Sequence, residues 1–167
     1  MSSRPTWFRG ISMCGWLLAS VSASAGVHTP EVEARLARLV GDWTIKGQET
    51  TYREQCDWFA DRAFVACSYE DKSDKSRGHS ILGYSKAEGQ FTYHSYGHSG
   101  SSNTRFGFPH GKDGIVFVRE RRSDGSHYRT STYLEPRADG SFHFREDQSI
   151  NGAAFKTTYE FDYVRRR

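Results

Sequence analysis

The feature that most constrains the fold is a long series of short segments in which apolar and polar residues alternate. A period of two is the pattern of a β-strand with one buried face. The pattern recurs over residues 43–45, 52–58, 64–69, 80–84, 91–96, 104–108, 115–119, 127–134, 141–145 and 155–163. The chain is therefore predicted to form about ten short strands.

The segments between these strands have the composition of tight turns. The clearest are Ala87-Glu88-Gly89, Lys112-Asp113-Gly114, Ser123-Asp124-Gly125, Ala138-Asp139-Gly140 and Asn151-Gly152. Such short connections join only antiparallel neighbours, because parallel strands need crossovers of about a dozen residues or more. The strands are therefore predicted to form an antiparallel meander.

A meander of this length leaves two open edges unless it closes on itself, and closure into a barrel removes both. Residues 26–167 contain 21 aromatic residues (nine Tyr, ten Phe and two Trp) against 15 Leu, Ile and Val. Bulky rings that face a lumen can line a ligand cavity. We therefore predict an all-β fold, an antiparallel up-and-down barrel of about 8–10 strands. A β-sandwich is the alternative.

One short helix is predicted ahead of the strands. Thr29 can cap its amino end, and Pro30 suits the first helical position. Leu36 and Leu39 belong to an apolar stripe that ends before Gly41. This helix is expected to pack on the core and close one end of the barrel.

Residues 1–25 have the pattern of an export signal peptide. Arg4 and Arg9 precede an apolar run over residues 11–19, which is shorter than the roughly 20 residues that span a bilayer. Ala23-Ser24-Ala25 then offers an A-x-A cleavage site. We predict a chain that starts near Gly26, a single domain over residues 26–167, and a periplasmic or secreted location.

Charge argues against a nucleic-acid partner, and hydropathy argues against a multispan membrane protein. The formal net charge is +3, and residues 1–25 hold two Arg and no acid, so residues 26–167 carry +1. Nucleic-acid binding needs a clustered excess of Lys and Arg, so no nucleic-acid partner is predicted. A mean hydropathy of −0.73 fits no multispan membrane protein, and no membrane span is predicted in residues 26–167. The sequence leaves the oligomeric state open.

Cys56 and Cys67 are predicted to form a disulfide. They are the two cysteines that remain after residue 25, and export would place them in an oxidising compartment. A hairpin centred on Asp61-Arg62 would set Cys56 opposite Cys67 and Trp58 opposite Val65. A reactive or metal-binding thiol pair is the alternative, although the spacing is not CxxC and no His lies nearby.

Gly41-Asp42-Trp43, at the start of the first strand and directly after a short helix, resembles the G-x-W opening of the lipocalin-like barrels of the calycin superfamily. Residues 81–84 and 91–93 are similar to an uncharacterised exported branch of these barrels. The resemblance implies that Trp43 packs at the closed end, with Arg165 or Arg166 over it. From the residues alone, 165–167 are expected to be a frayed charged end. The resemblance implies a fold more than an activity.

Motifs of catalysis and cofactor binding are absent from the sequence, including G-x-S-x-G, H-E-x-x-H, the P-loop and G-x-G-x-x-G after a strand. No catalytic residue and no cofactor is therefore predicted. His94, His98 and His110 allow a metal site as an alternative. Solvated loop histidines are favoured because Gly97 interrupts that strand and no acid or Cys lies close by. No metal ligand is predicted.

Candidate ligand-binding residues follow from the faces of the predicted strands. Arg119 shares a face with Ile115 and Phe117, and an inward Arg in a barrel can pair with a ligand carboxylate. The alternative is an Arg at the strand end that reaches solvent. The predicted ligand-binding residues are Trp58, Tyr69, Tyr93, Phe117, Arg119, Tyr128 and Tyr159.

The function expected from these observations is the binding of a small apolar or amphipathic molecule in the lumen of an exported barrel. One alternative is an interaction or structural module of the cell envelope without a ligand. The other is a barrel isomerase or cyclase that uses Tyr128 or Arg119. A measured cavity distinguishes the first two, and a strongly shifted pKa inside that cavity favours the enzyme.

Overall fold

The computed structural model describes residues 28–166, which form a short helix followed by ten strands. The predicted signal peptide over residues 1–25 and the start near Gly26 lie outside the described residues. Helix α1 is Pro30–Leu39. The strands are β1 (Gly41–Ile45), β2 (Tyr52–Phe59), β3 (Phe64–Asp71), β4 (Ser76–Ser85), β5 (Gln90–Gly97), β6 (Ser102–His110), β7 (Gly114–Ser123), β8 (Ser126–Pro136), β9 (Phe142–Ile150) and β10 (Lys156–Arg165).

The ten strands close into one antiparallel barrel in the order β1-β10-β9-β8-β7-β6-β5-β4-β3-β2. Each strand pairs with its neighbours in sequence, and β1 pairs with β10 to complete the ring. In that last pairing Trp43 lies opposite Arg165 and Ile45 opposite Tyr163. The predicted barrel is confirmed, and the β-sandwich alternative is wrong. Within residues 28–166, no helix has the length and apolar character needed to cross a bilayer.

Several strands are longer than the alternation predicts. Strand β4 starts at Ser76 and β7 runs to Ser123, whereas the pattern predicts 80–84 and 115–119. The additional residues are mostly polar, and their burial alternates in β4 but not at the end of β7. Hydrogen bonds between neighbouring backbones hold these segments in the sheet, so a hydrophobic pattern is not required there.

The β2–β3 hairpin has the predicted register. Cys56 lies opposite Cys67 and Trp58 opposite Val65, and the two cysteines form a disulfide with their Cα atoms 4.0 Å apart. The turn contains Asp61 as predicted. The disulfide is confirmed, and the thiol-pair alternative is wrong because neither sulfur is a free thiol.

Helix α1 covers one end of the barrel. The Thr29 side chain caps it by accepting a hydrogen bond from a backbone N–H in the first turn. Leu36 is fully buried in the core below the helix. Arg35 is also buried, and its Nη1 donates to the carbonyl oxygen of Gly114 at 2.6 Å. The indole Nε1 of Trp43 donates to the carbonyl oxygen of Leu39 at 2.7 Å. Hydrogen bonds therefore tie the helix to both β1 and β7.

The G-x-W segment has a specific role at this closed end. Trp43 is buried, and the guanidinium carbon of Arg165 lies 3.9 Å from the centroid of its ring. Arg165 Nη1 also donates to the carbonyl oxygen of Val40 at 2.7 Å. The expectation of a frayed end is wrong for Arg165, which belongs to β10 and is fixed by this contact. Gly41 has φ +147°, and a Cβ at this position would overlap the Arg165 guanidinium.

We predict that Gly41→Ala lowers the free energy of unfolding by roughly 2–4 kcal/mol, because it adds backbone strain and displaces Arg165. In an Arg165→Ala background the same substitution should cost about 1 kcal/mol less, because the overlap is gone. Urea denaturation of the four chains measures this coupling. Additive effects of the two substitutions would contradict the role assigned to Gly41.

Candidate functional site

The interior of the barrel contains both a packed core and a cavity. Val65, Phe91 and Ile115 belong to the core and are buried, with exposures of 0%, 0% and 2%. A cavity of about 150 Å³ lies inside the barrel and reaches its closed end, where Leu39 of α1 and Trp43 of β1 line it. Helix α1 therefore forms part of the cavity wall.

Aromatic rings form much of the cavity wall. They come from β1, β5, β7, β9 and β10, and they are Trp43, Tyr93, Phe117, Phe142, Phe144 and Tyr163. Leu82 and the Cys56–Cys67 disulfide add further apolar surface. The polar groups on the wall are Glu54, Ser80, Arg105 and Thr132. The cavity thus combines a mainly apolar wall with a few polar groups, which is the composition of small-molecule sites.

Glu54 is held in the wall by two tyrosines. The Tyr52 hydroxyl donates to Glu54 Oε2 at 2.9 Å and lies 3.2 Å from the Tyr163 hydroxyl. Burial raises the pKa of the Glu54 carboxyl, and hydrogen bonds from Tyr52 and Tyr163 oppose this shift without cancelling it. Burial and the nearby Glu54 also raise the pKa of the Tyr163 hydroxyl. The Glu54 carboxyl therefore stays protonated up to a higher pH than the carboxyl of an exposed Glu does.

Arg105 forms a second polar group on the wall. Its Nη1 lies 2.8 Å from Glu146 Oε2, and the two side chains are only 17% and 13% exposed. Thr132 Oγ1 donates to the same Glu146 oxygen at 3.1 Å and contacts Arg105. The charge of Arg105 is therefore balanced within the barrel by Glu146.

Glu54 has no such counter-ion. No Lys, Arg or His of residues 28–166 forms an ion pair with it. The two charged residues on the cavity wall are Glu54 and Arg105, and Arg105 is already paired. In its ionised form Glu54 is thus an uncompensated acid facing the cavity.

The structure brings two of the seven predicted ligand-binding residues to the cavity. Tyr93 and Phe117 both line it, with their ring centroids 5.6 Å apart. Tyr69 is not part of the cavity lining, and its ring stacks on Tyr52 with the centroids 6.2 Å apart. Trp58 packs against the core outside the cavity, and Arg62 lies over its ring at 4.6 Å.

The other three predicted residues lie away from the cavity wall. Arg119 is one inward position beyond Phe117, and its pKa is lowered by partial burial and by the nearby charges of Arg105 and Arg121. Tyr128 stacks with Arg121 at 4.3 Å. Tyr159 is 62% exposed. Ligand binding by all seven residues stays a prediction.

Sequence reasoning missed Glu54, Arg105 and Tyr163. Glu54 had a detectable signal, because it occupies the same face of a period-two segment as Cys56. Arg105 was harder to find, because an aromatic residue is expected to point inward and its neighbours Phe106 and Phe108 are aromatic. These two residues are instead the exposed ones, at 43% and 45%. The interior surface of β6 is polar and contains Arg105.

Gly107 explains why an aromatic residue does not occupy the inward face of β6. A Cβ at this position would lie 2.6 Å from Cδ1 of Phe117. The ring of Phe117 therefore fills the space that a side chain on β6 would need. Phe106 and Phe108, on either side of Gly107, point outward because successive side chains of a strand alternate between its two faces.

The histidines considered for a metal site have separate partners. His94 Nδ1 lies 3.1 Å from Thr104 Oγ1, and His110 Nε2 lies 3.0 Å from Glu135 Oε1. Among the described residues, the one grouping close enough to share an ion is Glu54, Cys56 and Cys67. The two cysteines of that group are bonded to each other, so neither offers a thiolate ligand.

Comparison with models of known protein families gives no match, and comparison with curated proteins gives none.

Glu54 makes the stability of the barrel dependent on pH. Because its pKa is raised in the folded state, the folded protein binds the proton more tightly than the unfolded chain. The contribution of Glu54 to the free energy of unfolding is fully present below the ordinary pKa of Glu, about 4.3. It is lost as the pH rises through the pKa that Glu54 has in the folded protein. We predict that Glu54→Gln is more stable than wild type near pH 8, and that this advantage shrinks near pH 4.

Urea denaturation at the two pH values measures this difference. Glu70→Gln is the control, because Glu70 is exposed on the outer face of β3. Its effect should be the same at both pH values. An advantage of Glu54→Gln that does not change with pH would contradict the burial of an acid without a counter-ion.

Proposed function

We propose that the lumen binds a small, compact amphipathic molecule. The observation that carries this proposal is the cavity of about 150 Å³, which has aromatic walls and a few polar groups. Its aromatic side would hold the apolar part of the ligand. Glu54, Ser80 and Thr132 would hold the polar part.

The size of the cavity limits the ligand. Apolar cavities of about 150 Å³ hold benzene, whereas pockets for drug-sized ligands measure roughly 300–1,000 Å³. The proposed ligand is therefore about one six-membered ring with a short polar substituent. A drug-sized molecule does not fit this conformation of the barrel.

The chain is proposed to be an exported relative of the lipocalin-like barrels. Support for the relationship comes from Gly41-Asp42-Trp43 and from the position of Arg165 over the Trp43 ring. Support for export comes from the pattern of residues 1–25 and from the Cys56–Cys67 disulfide. Amino-terminal sequencing of the exported protein tests this part, with Gly26 as the expected first residue and an uncleaved chain as the contrary result.

Two other functions each have an observation in their favour. The raised pKa of Glu54, beside tyrosine hydroxyls on a cavity wall, favours a barrel isomerase or cyclase. Exposed Phe106, Val118 and Phe155 line an outer groove, which favours an interaction module of the cell envelope. Ligand binding is preferred because the cavity is enclosed by the barrel itself.

Benzyl alcohol is a suitable probe for the proposed function, since it has one ring and one short polar group. We predict saturable binding, with amide NMR shifts concentrated at residues such as Leu82, Phe117 and Phe144. Ser80→Leu fills the cavity from β4 and should weaken binding at least tenfold, at a cost of about 1–3 kcal/mol in stability. Ser68→Leu makes the same change on the exposed face of β3 and should leave binding unchanged.

Absence of saturable shifts at cavity residues in the wild-type protein would overturn the proposed function. Equal binding by the wild type and a folded Ser80→Leu variant would overturn it as well. The wild-type shift map decides the matter if Ser80→Leu does not fold.

A further inference from the structure

Of the two charged residues on the cavity wall, Arg105 has an ion-pair partner and Glu54 has none within the described part of the chain. Arg105 is paired with Glu146 at 2.8 Å, and both side chains are largely covered. Glu54 accepts a hydrogen bond from the Tyr52 hydroxyl at 2.9 Å but has no cationic partner among residues 28–166. A carboxylate placed in such surroundings gains the most from a cation that enters the cavity, because attraction between charges strengthens as water is excluded.

The rings around Glu54 are also suited to a cation. Trp43 on β1 and Tyr69 on β3 are its cross-strand partners, but Arg165 already lies over the Trp43 ring and Tyr69 stacks on Tyr52. The rings of Tyr93 and Tyr163 line the cavity together with Glu54. Tyr163 approaches from β10 through its contact with Tyr52. Aromatic faces attract ammonium groups, by about 2 kcal/mol or more where the cation is shielded from water.

We propose, on the basis of the lumen-binding function above, that the ligand is a small organic amine bound as its ammonium ion. The ammonium group pairs with the Glu54 carboxylate, and the apolar remainder lies among the rings of Phe117, Phe142 and Phe144. The proposal changes the charge expected of the ligand, because the sequence indicated a carboxylate paired with Arg119.

An anionic ligand is disfavoured by the same contacts. Its charge would lie in the same small cavity as Glu54, whereas the charge of Arg105 is already taken by Glu146. Arg119 does not line the cavity. A neutral alcohol could form hydrogen bonds with the wall but would leave the ionised Glu54 without a counter-ion.

Binding of an ammonium ion should depend on pH. The ammonium pairs with the ionised form of Glu54, so affinity should increase as the pH rises through the titration of this group. At higher pH the amine loses its own proton and affinity should fall. The titratable and charged groups that face Glu54 are Tyr52 on its own strand, Tyr69 on β3, Tyr93 on β5, Arg105 on β6 and Tyr163 on β10.

Three probes of nearly equal shape separate the possible ligand classes: benzylamine, benzyl alcohol and benzoate. Calorimetric or NMR titration of the disulfide-bonded protein near pH 7.5 gives the dissociation constant of each. We expect benzylamine to bind at least about tenfold more tightly than benzyl alcohol, and benzoate to bind most weakly. Glu54→Gln should weaken benzylamine binding at least about tenfold and weaken benzyl alcohol binding by a clearly smaller factor, because the glutamine amide still offers the alcohol a hydrogen-bonding group but no charge.

The control variant is Glu70→Gln on the outer face of β3, which should bind benzylamine as the wild type does. Tightest binding of benzoate, or benzylamine binding that Glu54→Gln leaves unchanged, would overturn the amine assignment. If benzyl alcohol binds as tightly as benzylamine, the amine assignment fails and the proposed lumen function stands. If none of the three probes binds, the proposed function itself fails. The comparison of probes on the wild type decides the question if Glu54→Gln does not fold.

Discussion

The pairing of β1 with β10 is the interaction on which the rest of the structure depends. It joins the first and last strands of the meander and removes both open edges of the sheet. Trp43 and Arg165 face each other in this pairing, and the guanidinium lies over the indole ring. Gly41 leaves room for that contact. The carboxyl end of α1 is tied to the same pair of residues, because Trp43 donates to the carbonyl oxygen of Leu39 and Arg165 to that of Val40.

Closure also creates two different interiors. Leu36, Phe91 and Ile115 form a dry core with almost no exposure. The cavity wall includes Glu54 and Arg105, whose polar groups would not pack as a dry core. A barrel built only for stability would gain from apolar residues at these positions. A carboxylate without a counter-ion on the cavity wall provides instead the charge with which the proposed ammonium ligand would pair.

Much of the fold could be predicted because its determinants are local. The alternation, the turn residues and the paired cysteines lie close together in the chain, and they correctly indicated the strands, the Cys56–Cys67 bond and the barrel. The longest strands were predicted too short, because the polar ends are held by the backbone alone. The cavity residues come from distant parts of the chain: the Tyr52 and Tyr163 hydroxyls meet across 111 positions, and Arg105 and Glu146 across 41.

A period of two also cannot tell which face of a strand points inward. On β6 the aromatic face is outside and the polar face inside, and Phe117 of β7 occupies the space over Gly107 on the inner face. Nor does the pattern show how far along a strand a cavity extends: Arg119 follows Phe117 on the same face of β7, but only Phe117 lines the cavity. A single acid such as Glu54 forms no motif, and its buried surroundings are created by Tyr163, which lies more than a hundred residues away in the chain.

The most direct test of an uncompensated acid in the lumen is a ¹³C NMR titration of the Glu54 side-chain carboxyl, with and without saturating benzylamine. In the free protein the carboxyl should titrate above the ordinary range of Glu, so that its pKa is visibly raised. Saturation with benzylamine should lower that pKa, because the bound ammonium stabilises the carboxylate. A Glu54 carboxyl that titrates in the ordinary range in the free protein, or whose pKa is unchanged by bound benzylamine, would contradict the central claim.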